Sequence, residues 1–181
     1  DLFVTRAAYD AELAREALRE AVEGALEGAR AMRDREGAAL ASDLLVRNAR
    51  LVRHVDDVET RVPLTVELAR ARLRERIEKL LAGSSVKPDT ARLEQEIVIA
   101  ADRADVSEEC TRLRSHAAQL VKLVKEGGGD ALGRKLDFLL QEMSREANTI
   151  GSKSADAELA RLVVELKADI ERMREQAANV L

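Results

Sequence analysis

The chain has 181 residues, of which 46% are hydrophobic, 35% charged and 2% aromatic, with one Tyr, two Phe and no Trp. That balance can bury a core and excludes disorder, while the shortage of aromatic residues argues against β-sandwiches and mixed sheets. A net charge of −4 excludes a bulk polyanion binder, so any nucleic-acid contact has to be local.

Apolar residues recur at helical spacing along nearly the whole chain. From about Tyr9 to Met32, Leu13, Ala17, Leu18, Ala21, Ala25 and Leu26 share one face. After Gly37 a second stretch carries Leu44, Leu51, Val55, Val58 and Val62, mostly three and four apart, as a packed helix seam would. Pro63 is expected to interrupt it, because proline removes a backbone donor and crowds the preceding turn. A further helix is expected from Thr65 to Leu81, with Val66, Leu73, Ile77 and Leu80 inward.

Residues 82–89 read as a loop, with Asp89 or Thr90 capping the next helix. That helix runs toward Glu126, with a restart at Asp105 and Glu108, whose spacing has the form of a capping box. The triple glycine at 127–129 is the second break. Lacking a following Gly-Lys-Ser/Thr, it is not a phosphate loop. Two more helices follow, at about 132–150 and 155–178, separated by residues 151–154. No strand alternation appears. The expected fold is all-α: long antiparallel helices in an extended, coiled-coil-like bundle. Residues 1–81 are expected to form a helical region leading into a long hairpin, and residues 82–181 a C-terminal helical domain.

Charge is uneven along the chain. Residues 1–40 hold 6 basic and 9 acidic groups, residues 41–90 hold 10 and 8, and residues 91–181 hold 14 and 17. Only the middle is net positive. A single cysteine, Cys110, cannot close an internal disulfide, and with His54 and His116 it cannot build a zinc site of the Cys/His kind. With no long apolar run and no signal peptide, no membrane contact and a cytoplasmic location are expected. Because the first residue is Asp1, the chain is expected to start inside a longer gene product.

The segment from Gly133 to Lys153 is the most unusual. As a helix it places Leu136, Leu140, Met143, Ala147 and Ile150 on one apolar stripe, and Arg134, Asp137, Gln141, Arg145 and Asn148 on another, with Glu142, Glu146 and Thr149 beside it. Arg134, Lys135, Arg145 and Lys153 could hold phosphates. Asp137, Glu142 and Glu146 could supply hard oxygens to magnesium or manganese. The plainer alternative is a salt-bridged helix–helix interface, with Arg145 paired to Glu142, Glu146 or a neighbour.

A second acidic group has Asp102, Asp105 and Glu109 at one-turn spacing, so three carboxylates could share a face and be neutralised by a cation. The alternative is that Asp105 and Glu108 cap a helix while Arg103 and Arg112 balance the charge. Arg70, Arg72, Arg74 and Arg76 fall on two faces among Glu67, Glu75 and Glu78, as a solvated surface would. His116 could titrate near neutral pH but reads more simply as structural, and Cys110 as a small core residue.

The order Gly133, Arg134, Leu136, Asp137, Phe138, Gln141 and Glu142, then Arg145, Glu146, Asn148 and Thr149, then Ser152 and Lys153, closely resembles the C-terminal signature of the YicC/YloC family of bacterial proteins. Arg92–Glu96, Asp105–Glu109, Arg112–His116, Val164–Lys167 and Met173–Gln176 with Asn179 resemble other blocks of that family. Ser144 departs from the family pattern, where Asn is expected, and the acidic residue usual near the C-terminus is missing.

The resemblance implies an endoribonuclease that needs a divalent cation, acts on single-stranded RNA and assembles as a ring-like homo-oligomer, a hexamer. It also implies a further N-terminal domain of mixed helix and strand. On that reading Glu142, Glu146 and Asp137 are the catalytic candidates. Arg134, Lys135, Arg145, Asn148 and Lys153 are the RNA-binding candidates, and Asp102, Asp105, Glu109, Glu142 and Glu146 the manganese or magnesium ligands. The alternative is a helical oligomerisation and RNA-clamping module whose chemistry lies elsewhere.

Overall fold

A computed structural model of the chain describes residues 11–82, 89–127, 129–153 and 156–178. Five α-helices account for nearly all of them, and no strand occurs among the described residues: α1 Ala11–Leu81, α2 Thr90–Ala104, α3 Ser107–Glu126, α4 Leu132–Lys153 and α5 Ala157–Ala178. A short 3-10 turn, Gly129–Ala131, leads into α4. The all-α expectation holds. Most of the loop expected at 82–89 lies outside the described residues.

The chain divides into two compact units, residues 1–40 and 41–181. In the first, the opening part of α1 carries its charges as neighbouring ion pairs, Arg15 with Glu12 at 3.1 Å and Arg19 with Glu23 at 3.0 Å. Leu13, Leu18, Val22, Leu26 and Met32 stand exposed there.

In the second unit, α1 presents Leu44, Asn48, Leu51, Val55, Val58, Val62 and Thr65, all buried and alternately four and three residues apart. This is the heptad spacing of helices packed at a shallow angle. Matching seams run along α3 through Cys110, Leu113, Ala117 and Leu120, along α4 through Leu136, Leu140, Met143, Ala147 and Ile150, and along α5 through Leu159, Leu166, Ile170 and Met173. They meet in one apolar core. Each fully buried leucine contributes about 1.5–3 kcal/mol relative to exposure.

The connections after α3 and α4 are short, so α3, α4 and α5 alternate in direction. Cross-links fix α1 against its neighbours. Asn48 Nδ2 donates to the Ala117 carbonyl at 3.2 Å, Arg50 Nε to Asp169 Oδ2 at 2.8 Å, and Arg61 Nε to Asp156 Oδ2 at 2.5 Å. Arg114 on α3 reaches Glu59 and Asp56 on α1.

Two expected breaks do not occur. Gly37 and Pro63 both lie inside continuous α1. Pro63 is exposed, on the side away from the Val62–Thr65 seam, so the carbonyl it leaves without a donor faces water. Packing of the seam outweighs the local penalty. The break between α2 and α3 does occur, but as an Asx turn: Asp105 Oδ1 accepts from Ser107 N at 2.8 Å and Ser107 Oγ at 2.6 Å. Glu108 turns instead to Arg112, so no reciprocal capping box forms. Asp89 caps α2 as expected, accepting from Ala91 and Arg92 amides at 3.0 and 3.3 Å. Gly127, at φ 67°, ends α3 in a conformation that side-chain-bearing residues resist. α4 continues through Gly151 to Lys153. A Cβ at Gly151 would come 3.1 Å from Val163 Cγ1, so glycine there allows α5 to pack close.

Candidate functional site

The family-like segment is α4, and its charged residues meet α3 at the rim of the core. Glu146 is 7% exposed and Glu109 3% exposed. Arg112 joins them: its Nε stands 2.9 Å from Glu146 Oε1 and its Nη2 3.4 Å from Glu109 Oε1, and it also pairs with Glu108. Lys153, from the end of α4, places Nζ 2.9 Å from Glu109 Oε1 and donates to the Asp105 carbonyl at 3.0 Å. Three carboxylates thus share two cations, and Glu109 Oε2 is buried with no hydrogen-bond partner. The Glu146 carboxylate beside Arg112 raises the pKa of its guanidinium. Asp105 is held below the usual carboxylate range by the Ser107 hydroxyl and amide.

Glu109, Glu146 and Lys153, chosen from sequence as site residues, are therefore brought together, with Asp105 joining through its carbonyl. The others are not. Asp137 lies on another side of α4, accepting from Gln141 Nε2 at 2.6 Å and from Arg174 Nε of α5 at 3.3 Å. Asp102, Arg134, Lys135, Arg145 and Asn148 are exposed. Glu142 is half-buried and has no ion-pair or hydrogen-bond partner among the described residues. Arg145 pairs with neither Glu142 nor Glu146, yet the salt-bridged helix–helix interface of the plainer expectation is present, formed by Arg112 of α3 and Arg174 of α5. The partner of Glu146 comes from α3 instead.

A divalent cation held by this chain needs several hard oxygens converging on one point. Among the described residues no group of three or more His, Cys, Asp or Glu side chains is so placed. Glu109 and Glu146 are committed to Arg112 and Lys153, Asp105 to the α3 turn, and Asp102 is exposed. The five expected ligands do not fit a cation within one chain as arranged.

Sequence reasoning placed Arg112 as a charge balance for the acidic group of α3, which its pairs with Glu108 and Glu109 match, but missed its bridge to Glu146 of α4. Two buried polar groups also escaped it. Asn48 sits in the α1 seam with its Oδ1 unpartnered, and Asp169, 1% exposed, takes Arg50 with His54 Nε2 3.7 Å away. No described helix is long and apolar enough to cross a membrane.

A family model described as "Endoribonuclease YicC-like, C-terminal" matches residues 58–181. The chain is 44% identical over 151 residues to a "Probable endoribonuclease YicC" of Clostridioides difficile (strain 630), covering 83% of this chain and 50% of that protein. It is 41% identical over 150 residues to the protein of the same description from Haemophilus influenzae, again covering 83% of this chain and 50% of the relative. The chain spans about half the length of the relatives it matches. With α4 carrying the signature and the family model reaching from the α1 seam to the last residue, the chain belongs to the YicC-like endoribonuclease family, of which it carries the C-terminal helical domain.

Proposed function

We propose that this chain is the helical part of a metal-dependent endoribonuclease that hydrolyses phosphodiester bonds in single-stranded RNA. The observation that carries the reading is the charge pattern of α4 within a family whose relatives are named probable endoribonucleases. Arg134, Lys135, Arg145 and Asn148 lie exposed on that helix, where arginine forks and lysine ammonium groups can hold the phosphate backbone.

Among its carboxylates Glu142 has no ion-pair partner in the described residues, so it can accept a proton from the attacking water. Glu146 and Asp137 are held by Arg112 and Arg174 and act as positioning groups. A requirement for manganese or magnesium and assembly as a homo-oligomer, a hexameric ring, belong to the same reading. The exposed apolar residues of the first part of α1 support assembly.

A second reading, an oligomerising RNA clamp with its chemistry in another segment, is favoured by one observation: most carboxylates here already have cationic partners. Cleavage of single-stranded RNA by the protein at its natural length, with manganese and again after chelation, separates the two. Glu142→Gln is expected to slow cleavage by about 100-fold or more, as loss of a general base does, with binding retained. Undiminished cleavage in that variant favours the clamp.

A further inference from the structure

Phe138 is the only aromatic residue among those described, and it is 62% exposed. An exposed phenylalanine costs solubility and contributes nothing to the core, whose α4 stripe passes through Leu136 and Leu140 on the opposite side of the helix. Phe138 instead forms one wall of an open groove of about 620 Å³ between the end of α3 and the start of α4. Leu123 and Leu139 line its apolar surface, and Lys122, Arg134 and Lys135 surround it.

Arg134 and Lys135 have no carboxylate partner among the described residues, and Lys122 only a loose one, Glu126 at 3.9 Å. Three cations against one carboxylate, Glu126, on its lining leave the groove locally cationic on a chain of net charge −4. Arg134 lies one helical turn before Phe138, on the same face. A flat apolar ring flanked by cations that have no close carboxylate partner among the described residues matches a nucleotide in both parts, base and phosphate.

We infer that this groove binds one nucleotide of single-stranded RNA, its base stacked on Phe138 and its phosphate held by Arg134 and Lys135. The inference rests on the proposed RNA substrate and adds a subsite to it. Stacking on an aromatic ring tolerates any base, so the subsite sets where the strand lies without reading its sequence. The second copy of this chain is a competing occupant for an apolar wall, but it leaves those cations unexplained.

The test is the affinity of the natural-length protein for a short single-stranded RNA, in a calcium buffer free of manganese and magnesium. Phe138→Ala is expected to weaken binding roughly ten-fold, within the range measured for loss of one base-stacking ring. Phe138→Tyr and Phe138→Trp should retain affinity, while Phe138→Leu, equally apolar but not flat, should not. An RNA of the same length with abasic sites carries the same charge. The wild-type protein should bind it no better than Phe138→Ala does, and that variant should not distinguish the two RNAs. Arg134→Gln with Lys135→Gln should flatten the salt dependence of binding.

Because Phe138 is exposed, the variants should keep the helical circular-dichroism signal. RNA binding by wild type with affinity unchanged in Phe138→Ala overturns the subsite and leaves the proposed substrate intact. Absence of RNA binding by wild type overturns both. A fall in molar mass by light scattering in Phe138→Ala, with affinity per chain unchanged, assigns the wall to a second copy and overturns the inference.

Discussion

Arg112 of α3 and Glu146 of α4 stand 2.9 Å apart, and through Arg112 the nearly buried Glu146 and Glu109 are joined at the edge of the core. Two carboxylates this close and this poorly hydrated repel each other unless a cation lies between them. The pairing explains why α4 can carry charge next to its apolar stripe. Arg112→Ala should destabilise the fold, by less than breaking a fully buried pair would because Arg112 is partly solvated. Adding Glu146→Gln to that variant should recover part of the loss. Chemical denaturation of the two variants measures it, and equal stability to wild type would remove the bridge from the account.

Asn48 interrupts the apolar seam of α1, and its Oδ1 is buried with no partner. Its amide reaches the Ala117 carbonyl, a group that lies mid-helix and keeps its helical donor if Asn48 is replaced. Asn48→Leu is therefore expected to raise stability by about 1 kcal/mol, while loosening the register that one buried amide imposes on a heptad seam. Thermal unfolding gives the first effect. Broadened or doubled amide resonances would give the second.

Acid should weaken the fold through depressed carboxylates, Glu59 and Asp105 among them. The Arg114 guanidinium holds Glu59 below its ordinary range, and hydrogen bonds from Ser107 do the same for Asp105. A carboxylate whose folded pKa lies below its unfolded value of about 4 gives its full stabilisation above that value. It loses that contribution as pH falls through the folded pKa. Stability is expected to stay level from neutral pH to about 5 and to decline below. Asp105→Asn, which keeps an acceptor for Ser107 but does not titrate, should make the acid limb shallower.

Cys110 is buried at the start of the α3 seam, and desolvation pushes its thiol up to about 12. The thiolate is the reactive form, so native protein at pH 8 should resist iodoacetamide. Labelling should appear only in denaturant, in step with loss of helical signal. Rapid stoichiometric labelling of native protein would place Cys110 outside the core.

The seams of α1 and α4 were legible because heptad spacing survives translation from sequence to packing: every residue named in the stretch from Leu44 to Val62 and in the stripe from Leu136 to Ile150 is buried. So were Asp89 as a cap and the break at Asp105, whose causes are local. Gly37 and Pro63 misled, because local penalties were offset by a seam assembled from distant helices. The Arg112–Glu146 pair was not legible, since Glu146 has nearer arginines in sequence and only the α3–α4 packing selects Arg112. Phe138 stood in the family signature, and its place off the apolar stripe was the one available sign of exposure. Its basic surroundings come from two helices and could not be read from either alone.

The central claim is internal cleavage of single-stranded RNA. A circular single-stranded RNA has no end, so only an endonuclease can open it. With manganese present, the protein at its natural length should convert labelled circles to linear strands and then to shorter pieces, and leave a fully double-stranded RNA of equal length intact. Circles that remain closed while bound by the protein would contradict the account and leave an RNA clamp in its place.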